Sequence, residues 1–140
     1  MNISKTSVYA VKLISNLAKK KEGELVMVEN VAKEEMIPKH YAGKIMQRLT
    51  RYKVLESFKG RGGGFRISSK AKDKSVYEVI ELLDGEINFN ECLFKFKNCT
   101  HDNPCPFCKK WNSIGSQIDT LLHEYTISSL GADMNDYFSQ

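Results

Sequence analysis

Four cysteines, Cys92, Cys99, Cys105 and Cys108, are the only thiols in this 140-residue chain, and all four fall inside one 17-residue window. Their spacing, C-x6-C-x5-C-x2-C, runs through residues that favour turns, so four thiolates can converge on one centre. Thiolates gathered on a single loop hold a soft metal or an iron–sulfur cluster. Zinc is the alternative, although zinc ribbons use two C-x2-C knuckles and only Cys105 and Cys108 form one here. The same pair could exchange thiol for disulfide, but no βαβ pattern surrounds it. His101 and Asp102 also lie in the window, and with four thiols at hand they are expected to face solvent.

The rest of the chain must position that loop and give it something to control. A hydrophobic share of 41% with 27% charged residues reads as soluble and globular, with one good core. No apolar run approaches the ~20 residues of a membrane span. The first residues lack the apolar core of a signal peptide. A cytoplasmic location is therefore expected, where thiols stay reduced and metal binding outranks a disulfide framework.

The net charge of +4 conceals an asymmetry. Residues 1–72 carry 16 Lys and Arg against 6 Asp and Glu, a balance of +10, while residues 73–140 balance at −6. A basic first half is an electrostatic footprint for nucleic acid.

Its element pattern agrees. Ala10, Ile14, Leu17 and Ala18 repeat at helical spacing over residues 4–20, and Val28, Val31 and Ala32 mark a brief second helix. Residues 35–37 make a tight connection, and Pro38 suits the first turn of a third helix. There Tyr41, Ile45, Leu49 and Tyr52 line one face, while His40, Gly43, Lys44, Gln47 and Arg51 line the other. Two short helices joined tightly, the second with a basic and amide-bearing outer face, describe a helix-turn-helix. Residues 54–58 and 65–67 then read as strands around the Gly-rich tip Lys59-Gly60-Arg61-Gly62-Gly63-Gly64. Such a hairpin is a wing whose tip can approach a phosphate or a minor groove. A nucleotide-binding P-loop is excluded, because its Gly-Lys-Ser/Thr and following helix are missing. The expected DNA contacts are Lys39, His40, Tyr41 and Lys44 on the recognition helix and Lys59 and Arg61 in the wing.

In the second half, Ser75 caps a linking helix that carries Val76, Val79, Ile80 and Leu83 and stops at Asp84-Gly85. Beyond the cysteine loop, Trp111, Ile114, Ile118, Leu121, Leu122 and Tyr125 form a stripe long enough to need a partner, most economically a second copy in a two-fold dimer. Thr126 starts a short terminal helix. The expected division is a winged domain over 1–72, a linking helix over 73–91, the cysteine loop over 92–108, and dimerisation and terminal helices over 109–140. The fold class is mainly α with a small β-hairpin wing.

Specific stretches carry a resemblance: Tyr9-Ala10-Val11, Ile37-Pro38-Lys39-His40-Tyr41, Ile45-Met46-Gln47-Arg48-Leu49, Val54-Leu55-Glu56-Ser57 and Gly60-Arg61-Gly62-Gly63-Gly64-Phe65. They resemble the IscR/NsrR/RirA-type family of winged-helix iron–sulfur transcriptional regulators, and the resemblance continues through the linking and long helices. It implies a dimeric regulator that binds a palindromic double-stranded operator and senses cluster, iron or redox and nitric oxide status. It also implies that Cys92, Cys99 and Cys105 hold the cluster. In the IscR branch a histidine follows at about the position of Cys108, which here supplies a fourth thiolate. A 2Fe–2S cluster is expected ahead of a 4Fe–4S one. The family often has Gly where Met36 stands, so this turn must close without it. The other reading is a zinc- or cluster-binding interaction or electron-transfer module without DNA specificity, which leaves the basic half and the wing unexplained. No catalytic constellation, small-molecule substrate or membrane role stands out.

Overall fold

A computed structural model describes residues 2–139. Six helices, α1 (Lys5–Lys19), α2 (Val28–Glu34), α3 (Lys39–Arg51), α4 (Val76–Asp84), α5 (Pro106–Glu124) and α6 (Ile127–Phe138), accompany one hairpin, β1 (Leu55–Phe58) and β2 (Gly64–Ile67). A 3-10 turn over Ser69–Ala71 leads from the hairpin towards α4. The fold is mainly helical with a small β-wing, as the pattern of apolar positions implies.

The core is built on α1. Ser4 caps this helix by accepting the Ser7 amide, and Leu13, Ile14 and Leu17 point inward. They meet Val31 and Ala32 from α2, Ile45, Met46 and Leu49 from α3, Val54 and Leu55 at the hairpin, and Val79 from α4. Polar clips fix the angles between these helices. The buried Asn16 amide donates to the carboxylates of Glu34 and Glu35 at 2.8 Å, and Lys12 donates to the Glu35 carbonyl, tying α1 to the end of α2. At the other end, the amide and hydroxyl of Ser4 both donate to Asp84, joining α1 to α4. Burial pushes the Asp84 carboxyl up, but the Ser4 and Ser7 hydrogen bonds and the Arg48 charge outweigh it and leave it below its usual range.

On α3 the inward face is Ala42, Ile45, Met46 and Leu49 rather than the stripe through Tyr41 and Tyr52. Both tyrosines are exposed, Tyr41 by 57%. The close approach of α3 to α1 and α2 admits the small Ala42 where a phenol ring would overfill it. The turn between α2 and α3 closes through Met36 at φ 54, a left-handed conformation taken by a non-glycine residue whose side chain stays in solvent.

The hairpin pairs in antiparallel register, Leu55 with Ile67, Glu56 with Arg66, Ser57 with Phe65 and Phe58 with Gly64. Glu56 and Arg66 form an ion pair at 2.8 Å, and the Arg66 guanidinium covers the Phe58 ring. Val26 adds a third edge through two 2.8 Å backbone hydrogen bonds with Phe65. A Cβ at Gly64, where φ is 151, would lie 2.8 Å from the Val26 carbonyl oxygen, so this junction requires glycine.

Helix α6 returns to the winged domain. Ile127 is buried in the shared core, Gly131 packs against Ala18, and the Asn135 side chain donates to the Lys19 carbonyl at the end of α1. The α5–α6 junction is also pinned to the start of α4: Val76 donates to the Tyr125 carbonyl, and Ile127 and Ser128 donate to Lys74 and Lys72. Helix α5 itself touches this body mainly along α4 and the segment after it. Gly115 is buried against the Phe89 backbone, and an added Cβ would collide with the Phe89 carbonyl oxygen. Gly115→Val is therefore expected to prise α5 from its seat and cost about 1–3 kcal/mol, read as a lower thermal midpoint. An unchanged midpoint would show that α5 docks elsewhere.

Candidate functional site

Two sites emerge. The first lies between α3 and the wing. A groove of about 740 Å³ is lined by Lys39, His40, Gly43, Lys44 and Gln47 of α3, by Met27, Val28 and Glu29 at the start of α2, and by Phe58, Gly60, Gly63, Gly64 and Phe65 of the hairpin. Lys39, His40, Lys44 and Gln47 are exposed because the opposite face of α3 is spent on the core. The structure thus gathers three of the expected DNA contacts, Lys39, His40 and Lys44, in one groove. Tyr41 is exposed on the same helix outside the groove lining, and Lys59 and Arg61 sit exposed at the wing tip. Gly60 and Gly62, at φ 91 and 76, turn that tip.

Residues beyond the expected set also line the groove. Gln47 carries the donor–acceptor amide that suits a base edge. Glu29 forms a 2.8 Å ion pair with Lys39. The inward direction of Val31 and Ala32 is the sequence signal that turns Glu29 outward. A basic helix face beside a hairpin, with apolar Met27 and Phe58 at its margin, can grip a phosphate backbone and present donors to base edges.

The second site is the cysteine loop. Short-range hydrogen bonds shape it: the Cys99 amide donates to the Phe96 carbonyl, and Thr100 and Asn103 bond to one another. The Trp111 indole donates to the Glu91 carbonyl at 3.0 Å and pins the start of the loop to α5. Helix α5 begins earlier than the spacing suggested, at Pro106, with Cys105 as its N-cap. Cys108 therefore lies inside the first helical turn.

The thiols bear directly on one another. The Cys105 amide donates to the Cys99 sulfur, and the Cys108 amide to the Cys105 sulfur, each at 3.4 Å. The Cys105 amide holds the Cys99 thiol below its usual range. Burial, reinforced by hydrogen bonding to Cys99 and the charges of Cys99, Cys92 and Cys105, pushes the Cys108 thiol up. All four cysteines are free thiols, with Cys92 buried. His101 and Asp102 are fully exposed. Among the described residues, no three His, Cys, Asp or Glu side chains are already disposed to grip one metal ion. The donor set nonetheless fits an iron–sulfur cluster by its chemistry: four thiols on one loop, with backbone N–H groups directed at two of the sulfurs. Phe94, Phe96, Phe107 and Trp111 form a chain of ring contacts beside them, at centroid distances of 5.1–6.1 Å.

A helix-turn-helix with an adjacent wing and a basic groove between them defines a DNA-binding transcriptional regulator, not an enzyme. Residues 3–133 match the Rrf2 family, described as iron-dependent transcriptional regulators, and the chain belongs to that family. A relative in Aquifex aeolicus, named "Putative HTH-type transcriptional regulator", is 33% identical over 132 residues, covering 93% of this chain and 91% of its own. The regulator NsrR of Bacillus subtilis is 26% identical over 137 residues, covering 97% and 94%. Among solved structures, CymR, the global cysteine regulator of B. subtilis, superposes with a TM-score of 0.76 at 20% identity, covering 94% of this chain and 97% of its own. IscR of T. potens gives 0.71 at 18% identity, covering 98% and 90%. These neighbours share the winged-helix fold. Among the described residues, no helix is long and apolar enough to cross a membrane.

Proposed function

We propose that this DNA-binding regulator holds an iron–sulfur cluster on Cys92, Cys99, Cys105 and Cys108, a 2Fe–2S cluster ahead of a 4Fe–4S one, and that cluster loading changes which operator it binds. The observation that carries the reading is the position of the thiols: two stand on the loop, while Cys105 and Cys108 form the cap and first turn of α5. Such a cluster supplies a centre that is gained, lost or chemically altered with iron and redox status.

The chain's own residues would do the rest. Cys105 and Cys108, drawn towards Cys92 and Cys99, set the direction in which α5 leaves the loop. At its far end α5 is bonded to the start of α4 and runs into α6, which lies on α1 of the winged domain. A tilt of α5 therefore reaches the recognition helix through backbone hydrogen bonds and core packing.

A homodimer fits the outer face of α5. Ile114 and Leu121 of the stripe are exposed large side chains, and Phe107, one turn before Trp111, is exposed as well. Lys109 and Lys110 at one end and Asp119 and Glu124 at the other are complementary in an antiparallel pairing of two copies. Each dimer would carry two grooves to a palindromic operator, with Lys39, His40, Tyr41 and Lys44 on the major groove and Lys59 and Arg61 on the backbone or minor groove.

The test compares anaerobically purified, iron-loaded protein with chelator-stripped protein on genomic DNA fragments at two salt concentrations. Retention of different fragment sets by the two forms is expected. Identical sets would remove the sensing role and leave a constitutive regulator.

A further inference from the structure

The groove between α3 and the wing contains a single acidic side chain, and its position is costly for a DNA-binding surface. The other ionisable residues lining it are Lys39, His40 and Lys44. Glu29 stands among them in the first turn of α2, with Oε1 2.8 Å from the Lys39 Nζ. The Lys39 hydrogen bond, with one from its own backbone, holds this carboxyl below its usual range, so it is ionised at neutral pH. A carboxylate here repels the DNA backbone whatever the sequence. It also withdraws Lys39, at the start of the recognition helix, from phosphate. Both partners are about half exposed or more, and exposed pairs of this kind contribute little to stability. The pair therefore weakens general DNA affinity without stabilising the fold. A local charge of the wrong sign is useful where it rejects incorrect sequences and is offset at the correct one.

The chemistry of one base pair supplies that offset. On the major-groove edge of G·C, guanine presents two acceptors, N7 and O6, beside the cytosine N4 amine, a donor. An ammonium held next to a carboxylate is complementary to this row: Lys39 donates to guanine, and Glu29 accepts from cytosine. A T·A pair keeps one acceptor and one donor but places the thymine methyl where guanine has N7. A·T reverses the order of donor and acceptor. We propose that Glu29 is a specificity-determining residue of the DNA face, which with Lys39 reads one G·C pair in the major groove and discourages binding elsewhere. This rests on the assignment of α3 and the wing as the DNA face.

The test uses the full-length protein and a pool of randomised duplexes, with Glu29→Gln and Glu29→Ala beside the parent. The parent is expected to enrich G·C at one position, and Glu29→Gln to lose that preference by roughly five- to tenfold, the lower part of the range for a base contact. Both variants should bind random-sequence duplex more tightly. For Glu29→Ala, the slope of log K against log salt should steepen by about one unit, as the freed Lys39 takes a phosphate. Unchanged base preference in Glu29→Gln, or random duplex bound no more tightly, overturns the proposal. Lys44→Ala tells the two levels apart. If it weakens duplex binding while both Glu29 variants behave as the parent, only the role of Glu29 fails. If it too changes nothing, the DNA face has been misplaced and the proposal falls with it.

Discussion

Serine in place of Cys99 or Cys105 is expected to yield colourless, iron-free protein from an anaerobic preparation in which the parent is coloured. Serine keeps the shape of cysteine but offers a hard hydroxyl that stays protonated where a thiolate would bind iron. Cys105→Ser is the sharper of the two. Cys105 caps α5 by accepting the Cys108 amide on sulfur at 3.4 Å, and serine is among the best N-cap residues, so the helix start is preserved or improved. Loss of iron then cannot be assigned to a melted helix, and the metal-free variant should keep its unfolding free energy within about 0.5 kcal/mol of metal-free parent. Cys108→Ser asks whether the fourth thiol is a ligand, and reduced iron retention is expected. His101→Ala and Asp102→Ala, at fully exposed positions, should leave the spectrum unchanged. Full colour and iron in a Cys92→Ser/Cys99→Ser double variant would end the cluster reading. Zinc bound instead, at one equivalent and without colour, would support the alternative metal.

Local signals made the winged domain readable. Helical spacing of apolar residues located α1 and α3, and the run Lys59 to Gly64 between two strand-like stretches marked the hairpin. Each depends on neighbours a few residues apart, the range over which periodicity and turn chemistry act. The return of α6 to α1 was not readable in the same way. It depends on Gly131 meeting Ala18, more than a hundred residues away, and neither residue signals the other. The inward face of α3 was displaced by one step for a related reason. The positions 41, 45, 49 and 52 and the positions 42, 45, 46 and 49 both satisfy helical spacing, and only the tight contact with α1 selects the small Ala42 over Tyr41.

The cysteine window shows both situations in one segment. Spacing alone brought the four thiols together on paper. The start of α5 inside that window had a signal, Pro106 directly after Cys105, since proline is favoured in the first turn of a helix. That start makes Cys105 a cap and puts Cys108 on the helix. The depressed Cys99 thiol had no such signal, because it depends on where the Cys105 amide points once the loop has folded.

Replacing both Lys44 and Gln47 by alanine is expected to remove most of the sequence selectivity of DNA binding while leaving the fold intact. Both side chains are exposed on α3 and line the groove, so neither contributes to the core. They stand three residues apart on one helical face, which places them over adjacent base pairs. A good base contact is worth about 1–3 kcal/mol of discrimination, so losing two should cut the preference for operator over random duplex by about 2–6 kcal/mol. The wing should behave differently. Lys59→Ala and Arg61→Ala remove charges from an exposed tip, so each should weaken operator and random duplex alike and lower the salt slope by about one unit. Lys21→Ala provides the control, since Lys21 lines a separate cavity at the end of α1 and should leave binding unchanged. Binding curves on operator and random duplex at several salt concentrations resolve the three behaviours. If the double variant kept its selectivity, base reading would have to move off the α3 face. If the wing variants lost selectivity instead, the hairpin would be reading bases and α3 would only be positioning it.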